Sequence, residues 1–561
     1  MHSPIRRPAV ALAATALSAT LFHFGTGLTP VPWLTWLAPL PVLVLAHRVG
    51  ARAAFLAASA AWLGGQTMMW GYFLDTVQIP PPMVVSLIIG SALLFGLIVL
   101  LSRALLLRGR PLTAVAVVPA AWVAVEYAFS VLSPNGAWWS LAYTQAGVLP
   151  VLQTASVTGP WGITFLLLGV PAAIAAVLAP RAPGREAGRE TEREAGRETE
   201  REAGRETERE AGRETEREAG RETERETGRD TGRETGRDTG RETGRAGRLR
   251  VAVTAVTVLT LALGYGAWRL RAPYGESSEK VALLATDRDG WVPVASAEGR
   301  ALLGQYTARI PGLAARGARV VVMPEKVFVA DDATLPVLAA PLARLAADHH
   351  VDIIVGLILK RSGSLRNAAV DFPADGSRPV EYFKHHLIPG LESDFQPGNR
   401  KAFVPGSGSR WGIAICFDLD LPGLVRDYRR SGATTLFVPA WDFDRDRWLH
   451  GRMAVTRGVE TGLTVARAAR DGDLVVSDAF GRIRTEAHSA DAPFVSALTA
   501  LPTRSADTPY TRFGDWFAWA CALLLLLGLA SATRARRAAD TGGAEGAEGA
   551  AGDRRASAAH A

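Results

Sequence analysis

The sequence predicts a polytopic α-helical membrane domain joined to one large α/β domain. Three observations predict it. Apolar residues make up 48% of the 561 residues, and they fall in clusters instead of being spread evenly. About eight of these clusters are long enough to cross a bilayer. Before the last cluster, a stretch of roughly 230 residues alternates short β-rich apolar runs with helically spaced ones.

The candidate spans lie near 9–28, 31–47, 53–74, 83–107, 112–132, 160–180, 249–268 and 514–532. Each is judged against the ~20 apolar residues a bilayer requires. The second is the weakest, being short and holding Pro32, Pro39 and Pro41. Arg6 and Arg7 precede the first span, as in a secretory signal, but no small-residue cleavage site follows and further spans come at once. Six spans are therefore expected in residues 1–183, a seventh at 249–270 and an eighth at 511–533.

Charge orients the spans. The net charge is +7, which on its own is compatible with nucleic-acid binding. The arginines, however, sit in alternate loops: Arg48 and Arg52, then Arg103, Arg108 and Arg110, and finally Arg534, Arg536 and Arg537. The intervening loops near 28–31, 75–82 and 133–159 carry no Lys or Arg. This bias argues against a nucleic-acid partner. It puts both termini in the cytoplasm of a multi-pass cell-membrane protein and residues 271–510 outside. Residues 184–248 repeat the unit Glu-Ala-Gly-Arg-Glu-Thr-Glu-Arg with almost no apolar residue, and read as a disordered cytoplasmic linker. The tail, 534–561, is also expected to be disordered.

In the α/β stretch, strands are expected at 281–286, 318–324, 351–359, 367–372, 411–417, 434–440, 463–468, 473–477 and 494–498. Helices are expected at 301–315, 335–349, 421–431 and 447–461. Three of these strands lead into a reactive side chain. Arg319-Val-Val-Val-Met-Pro-Glu325 ends in a carboxylate, Glu381-Tyr-Phe-Lys384 in an ammonium and Trp411-Gly-Ile-Ala-Ile-Cys416-Phe-Asp418 in a thiol. Strand C-termini in α/β sheets face the ligand crevice, so the three groups can meet there. A carboxylate that takes the thiol proton, an ammonium that favours thiolate and a thiol that forms an acyl intermediate make a workable set. Read from the residues alone, a lone Cys ending an apolar strand is more often a packed core residue, and Lys384 reads as an ordinary solvated lysine. The sequence has two cysteines, and with Cys521 in the apolar run 516–529 no disulfide is expected. No cofactor or metal is expected, because neighbouring residues on a strand, as in His349-His350 and His385-His386, point to opposite faces.

The order Glu325, Lys384, Cys416 with these flanks resembles the nitrilase, or carbon–nitrogen hydrolase, superfamily. So do the run from Trp448 to Glu460 and the turn Ala479-Phe-Gly-Arg482. The resemblance implies an αββα sandwich and a Glu-Lys-Cys triad. A nitrilase-like domain inserted before the last of eight spans is similar to one branch, the apolipoprotein N-acyltransferases. The stretch Trp138-Trp-Ser-Leu-Ala-Tyr-Thr-Gln145, with Gly159-Pro-Trp-Gly162 and Trp122-Val-Ala-Val-Glu126-Tyr127, looks like that family's membrane signature. The resemblance implies transfer of an acyl chain from a membrane phospholipid, through a Cys416 thioester, to diacylglyceryl-modified lipoproteins. It adds Glu392 as a second glutamate beside Lys384, the backbone at Phe417 as an oxyanion donor, and Asp418 as a supporting residue. Phe417-Asp418 stand where the family usually has Tyr-Glu, and Pro439-Ala-Trp-Asp-Phe-Asp444 where it has an Asn-containing Trp-Phe-Gly segment. These departures leave the acceptor open. Two other readings stand beside this one: a membrane-anchored carbon–nitrogen hydrolase with water or another amine as acceptor, and an inactive membrane scaffold.

Overall fold

The structure, a computed structural model, describes residues 6–179, 223–273, 275–287, 290–406 and 410–533. Most of the Arg/Glu repeat, up to residue 222, and the tail from 534 lie outside the described residues.

Among the described residues, six helices are long and apolar enough to cross a membrane: Pro8–Gly25, Pro81–Leu107, Pro111–Leu132, Pro160–Leu178, Arg245–Arg269 and Trp516–Thr533. The other two expected spans are assembled from shorter pieces. The second is two helices, Pro32–Leu37 and Leu40–Ala46, broken where Pro39 lacks an N–H to continue the ladder. The third is Ala51–Gly65, then Thr67–Gly71, then a π-turn at Tyr72–Thr76. The break follows Gly65, where a Cβ would lie 2.3 Å from Phe22 Cβ. Close approach of two helices, more than helix propensity, sets that residue. Phe22, Trp62, Phe95 and Trp122 interlock in the middle of the bundle, with Trp62 and Trp122 ring centroids 4.3 Å apart. The helix of the seventh span begins upstream, at Thr223. It therefore starts within the stretch 184–248 that the sequence reads as a linker; a helix already nucleated extends at little cost, one hydrogen bond per residue added.

Among the described residues, the α/β region contains fourteen strands. In chain order they are β1 (Glu276–Ala285), β2 (Val292–Pro293), β3 (Ala318–Val322), β4 (Phe328–Asp331), β5 (Asp352–Arg361), β6 (Ser364–Phe372), β7 (Val380–Phe383), β8 (Ala402–Val404), β9 (Arg410–Ile413), β10 (Ala433–Trp441), β11 (Thr464–Arg470), β12 (Asp473–Ser477), β13 (Ile483–His488) and β14 (Val495–Pro502). One sheet runs β14-β1-β3-β5-β4-β2, with β6 on the other edge of β5 and β7 beyond it. The second runs β13-β12-β11-β10-β9-β8. The β1–β3, β3–β5, β9–β10 and β10–β11 pairs are parallel, so these strands deliver their C-terminal ends to the same side.

The sheets face each other across a core that includes Leu283, Val322 and Ile354 from the first and Ile413, Val438 and Ala466 from the second. Helices Ala297–Thr307, Ile310–Ala315 and Leu335–His349 cover the far side of the first sheet. Helices Pro422–Arg430 and Arg447–Thr461 cover the second. The order of layers is thus helix, sheet, sheet, helix. The last layer has two neighbours: Val455 and Val459 of Arg447–Thr461, with Val475 of β12, share a cluster with Leu141, Leu152 and Ala155 of the membrane domain. The α/β unit therefore stands directly on the helices beneath it.

Candidate active site

Each of the three strand ends delivers its side chain to one buried place. Glu325 follows β3, and its N–H is held by the Ala440 carbonyl of β10, 3.2 Å away across the two sheets. Lys384 follows β7, where its N–H donates to the Asn367 carbonyl of β6 at 2.9 Å. Cys416 opens a 3-10 turn, Cys416–Asp420, after β9. Its φ of 41° lies in the left-handed region, which a non-glycine residue adopts at a cost and which aims the thiol out of the line of the strand. The thiol lies 3.5 Å from the Trp441 carbonyl.

The charges form a closed set. Lys384 Nζ is 2.9 Å from Glu325 Oε1 and 3.0 Å from Glu392 Oε2, with all three side chains essentially inaccessible. Asn367 Nδ2 donates to both carboxylates, at 2.5 Å to Glu325 and 2.7 Å to Glu392. A second ammonium, Lys326, contacts Glu392 and lies 3.7 Å from Glu325. It is surrounded by Trp291, Phe395 and Trp441, with ring centroids 5.2–5.8 Å away. Two carboxylates and two ammoniums thus neutralise each other in a water-poor pocket, which is the condition for keeping buried charges ionised. Burial works against the Lys384 ammonium, but Glu325 and Glu392 outweigh it and hold the group above its ordinary value. Burial likewise opposes the Glu392 carboxylate, and Lys384 and Lys326 overcome it and hold that group at about 2.

The cysteine departs from expectation in one respect. Burial, joined by the charge of Glu325, pushes the Cys416 thiol well above its ordinary value; Lys384 and Arg467 pull the other way without prevailing. Desolvation thus favours the neutral thiol, against the pull of Lys384 toward the thiolate.

Asp418 braces the arrangement. Its Oδ1 accepts the N–H groups of His385 at 3.1 Å and His386 at 2.9 Å, while its Oδ2 accepts Ile415 N–H at 3.0 Å and the Tyr382 hydroxyl at 2.7 Å. One carboxylate thus ties the residues after Lys384 to the residue before Cys416. His385 stacks on Tyr382, and His386 Nδ1 lies 3.2 Å from Asp418 Oδ1. Phe417 is buried in the same turn, next to the thiol. Both Cys416 and Cys521 are free, and Cys521 packs among Ala120, Val123 and Trp161, not against lipid.

Sequence reasoning found Glu325, Lys384, Cys416, Glu392, Phe417 and Asp418, and all six lie together here. It missed Lys326, Asn367 and the buried pair Arg467–Asp442, whose guanidinium and carboxylate meet through two hydrogen bonds beside the thiol. Lys326 adjoins Glu325, but nothing in a single sequence says that it turns inward.

A buried thiol, a carboxylate and an ammonium at the strand ends of facing sheets suit acyl chemistry on a carbonyl carbon. Comparison with known proteins agrees. Residues 281–490 match the family model described as carbon-nitrogen hydrolase, and residues 18–173 match the apolipoprotein N-acyltransferase N-terminal domain. A protein named apolipoprotein N-acyltransferase from Geobacter metallireducens is 25% identical over 559 residues, covering 92% of this chain and 94% of that one. Its namesake from Gloeobacter violaceus is 29% identical over 297 residues, covering 47% of this chain and 55% of that one. Among solved structures, an amidase from Nesterenkonia sp. is 18% identical, covering 41% of this chain and 92% of that chain with a TM-score of 0.35. The chain is an enzyme of the carbon–nitrogen hydrolase superfamily. Both family models are matched in one chain, and the similarity over nearly the full length is to a protein named apolipoprotein N-acyltransferase.

Proposed function

We propose that the enzyme moves a fatty acyl chain from a membrane phospholipid to the α-amine of the lipidated N-terminal cysteine of lipoproteins, with Glu325, Lys384 and Cys416 as its catalytic triad. The Cys416 sulfur attacks the ester carbonyl carbon as its proton passes to Glu325. Lys384 and the backbone N–H groups near Phe417 hold the oxyanion. The tetrahedral intermediate collapses by breaking the acyl C–O bond, and Glu325 gives the proton to the departing lysophospholipid oxygen. A thioester remains. The amine attacks the thioester carbonyl and loses a proton to Glu325; the C–S bond breaks and the sulfur takes that proton back. Atoms and charge balance over the two half-reactions, and ping-pong kinetics follow.

The observation that carries this reading is Lys384 bridging Glu325 and Glu392 at 2.9 and 3.0 Å beside a buried thiol, in a domain standing on membrane helices. Anchoring confines both substrates to one leaflet and raises their effective concentration. This fits the orientation read from the arginine distribution, with both termini cytoplasmic, residues 271–510 extracytoplasmic, and the spans of 1–183, 249–270 and 511–533 bracketing the polar linker and tail.

Incubating the protein with phospholipid vesicles and no amine acceptor should leave an acyl mass on the Cys416 peptide, discharged by a diacylglyceryl peptide. Steady release of free fatty acid without an amine would instead favour a hydrolase, a reading kept in view by the similarity of this chain to an (R)-stereoselective amidase from Pseudomonas sp., 28% identical over 184 residues, covering 31% of this chain and 67% of that one. Full activity of Cys416→Ser would end both.

A further inference from the structure

The nucleophile turn is held from the membrane side by a ring of contacts that the transfer chemistry does not use. The Ala137 N–H, in the loop after the Pro111–Leu132 helix, donates to the Asp420 carbonyl at the end of the Cys416–Asp420 turn, 2.9 Å away. Gly136 beside it has a φ of 59°, and a Cβ there would lie 2.5 Å from that same carbonyl oxygen, so backbone meets backbone with no room for a side chain. The Asp420 carboxylate lies 3.9 Å from His450 Nδ1. His450 Nε2 lies 3.2 Å from Asp446 Oδ2. Asp446 Oδ2 also accepts the Tyr72 hydroxyl at 2.5 Å, from the π-turn of the third apolar segment. Tyr72 in turn stacks on Trp138, with centroids 5.8 Å apart and planes 9° apart, next to Ala137 where the circuit began.

His450 is the one member that touches both loops around the thiol. Asp420 ends the turn that Cys416 opens. Asp446 fixes the segment after Trp441 by accepting the Phe443 N–H at 3.0 Å, and the Trp441 carbonyl faces the Cys416 sulfur. We propose that His450 is a positioning residue: its ring, held between Asp446 and Asp420, closes this circuit through Tyr72 and the Gly136–Trp138 loop and thereby fixes Cys416 relative to the membrane helices. Burial disfavours a charge on His450, but Asp446 and Asp420 outweigh it and hold the ring cationic, at about 9. A charge-assisted hydrogen bond is roughly twice as strong as a neutral one, so the cationic ring ties Asp446 more firmly than a neutral ring would. The significance for acyl transfer is direct: donor lipids approach from the bilayer, so the depth of the sulfur above the helices decides which carbonyl it meets.

This inference rests on the acyl-transfer reading only for its rate measurement. In full-length protein, the variants His450→Gln, Tyr72→Phe and the double variant are compared with wild type. Two rates are measured: thioester formation on Cys416 from phosphatidylethanolamine–phosphatidylglycerol vesicles, and alkylation of Cys416 by iodoacetamide, read on its peptide by mass. We expect each single variant to lower the kcat of thioester formation about tenfold with KM for the lipid changed less than twofold, as misplacement of a nucleophile does. Alkylation should slow as well. The double variant should lose no more than about twofold beyond the worse single one, because both changes open the same circuit. Single variants within twofold of wild type in both rates, or a double variant whose loss is the product of the two, would overturn the proposal. Absence of a thioester in wild type, with the alkylation pattern intact, would refute the acyl-transfer reading and leave the positioning role standing. Tyr72 lies outside the catalytic domain, so its variant keeps the question decidable if His450→Gln fails to fold.

Discussion

Replacing Glu392 by Gln tests the charge balance of the site, because it keeps the shape and removes one of two buried anions. In the native protein the four charges of Glu325, Glu392, Lys384 and Lys326 cancel. A carboxyl group brought from its ordinary 4.5 to about 2 carries about 3 kcal/mol of interaction that only the ionised form enjoys. Glutamine resembles the protonated form, so Glu392→Gln should cost about that much stability at neutral pH. The sign of the pH dependence follows. A depressed carboxylate contributes fully above its ordinary value and loses its contribution as pH falls toward the folded value. The gap between wild type and variant should therefore be constant above about pH 5 and shrink between 4.5 and about 2. Thermal unfolding of the detergent-solubilised protein across that range measures it. A variant as stable as wild type at pH 7, or a gap that stays constant down to pH 3, would refute the claim that the two lysines hold Glu392 ionised.

Further outcomes follow from other contacts. Asp418→Asn should orphan at least one buried N–H near the thiol, at about 1–3 kcal/mol, and slow thioester formation roughly 10–100-fold; stopped-flow acylation at matched protein folding measures this. His450 is faced by Asp446, Asp420 and Asp442, and its folded value lies above the ordinary 6.5. Its contribution is therefore fully present below 6.5 and disappears as pH rises through about 9, so the unfolding midpoints of wild type and His450→Gln should converge there. Gly136→Ala should press a Cβ into the Asp420 carbonyl and cost about 1–3 kcal/mol, visible as a lower unfolding midpoint. Arg467→Met should strand the Asp442 carboxylate at about 3–5 kcal/mol, with most of that recovered in the double variant Arg467→Met/Asp442→Leu.

Much of this site was legible because β-sheet burial writes itself into local composition. Val320, Val321 and Val322, or Trp411 through Ile413, announce strands, and a reactive side chain follows each within three residues of its end. The membrane helices were legible for the same reason, save where Pro39 and Gly65 divide a run that hydropathy reads as continuous. Contacts between distant segments were not legible. Tyr72 and Asp446 are 374 residues apart in sequence, and neither carries a local pattern naming the other. Asn367 looked like an ordinary strand residue because its role lies in which carboxylates surround it, a property of tertiary structure alone. The desolvation that raises the thiol was not legible, because it is set by the depth of the turn and not by the neighbouring lysine.

The helix Arg447–Thr461 is buried on two sides: Ala454 joins the sandwich core, and Val455 and Val459 rest on the bundle. A fragment comprising only residues 271–510 would bare that oily stripe, together with Arg457, whose guanidinium reaches the Tyr143 hydroxyl at 2.8 Å. Cutting the enzyme free of its bilayer therefore exposes an adhesive surface instead of liberating a working amidase.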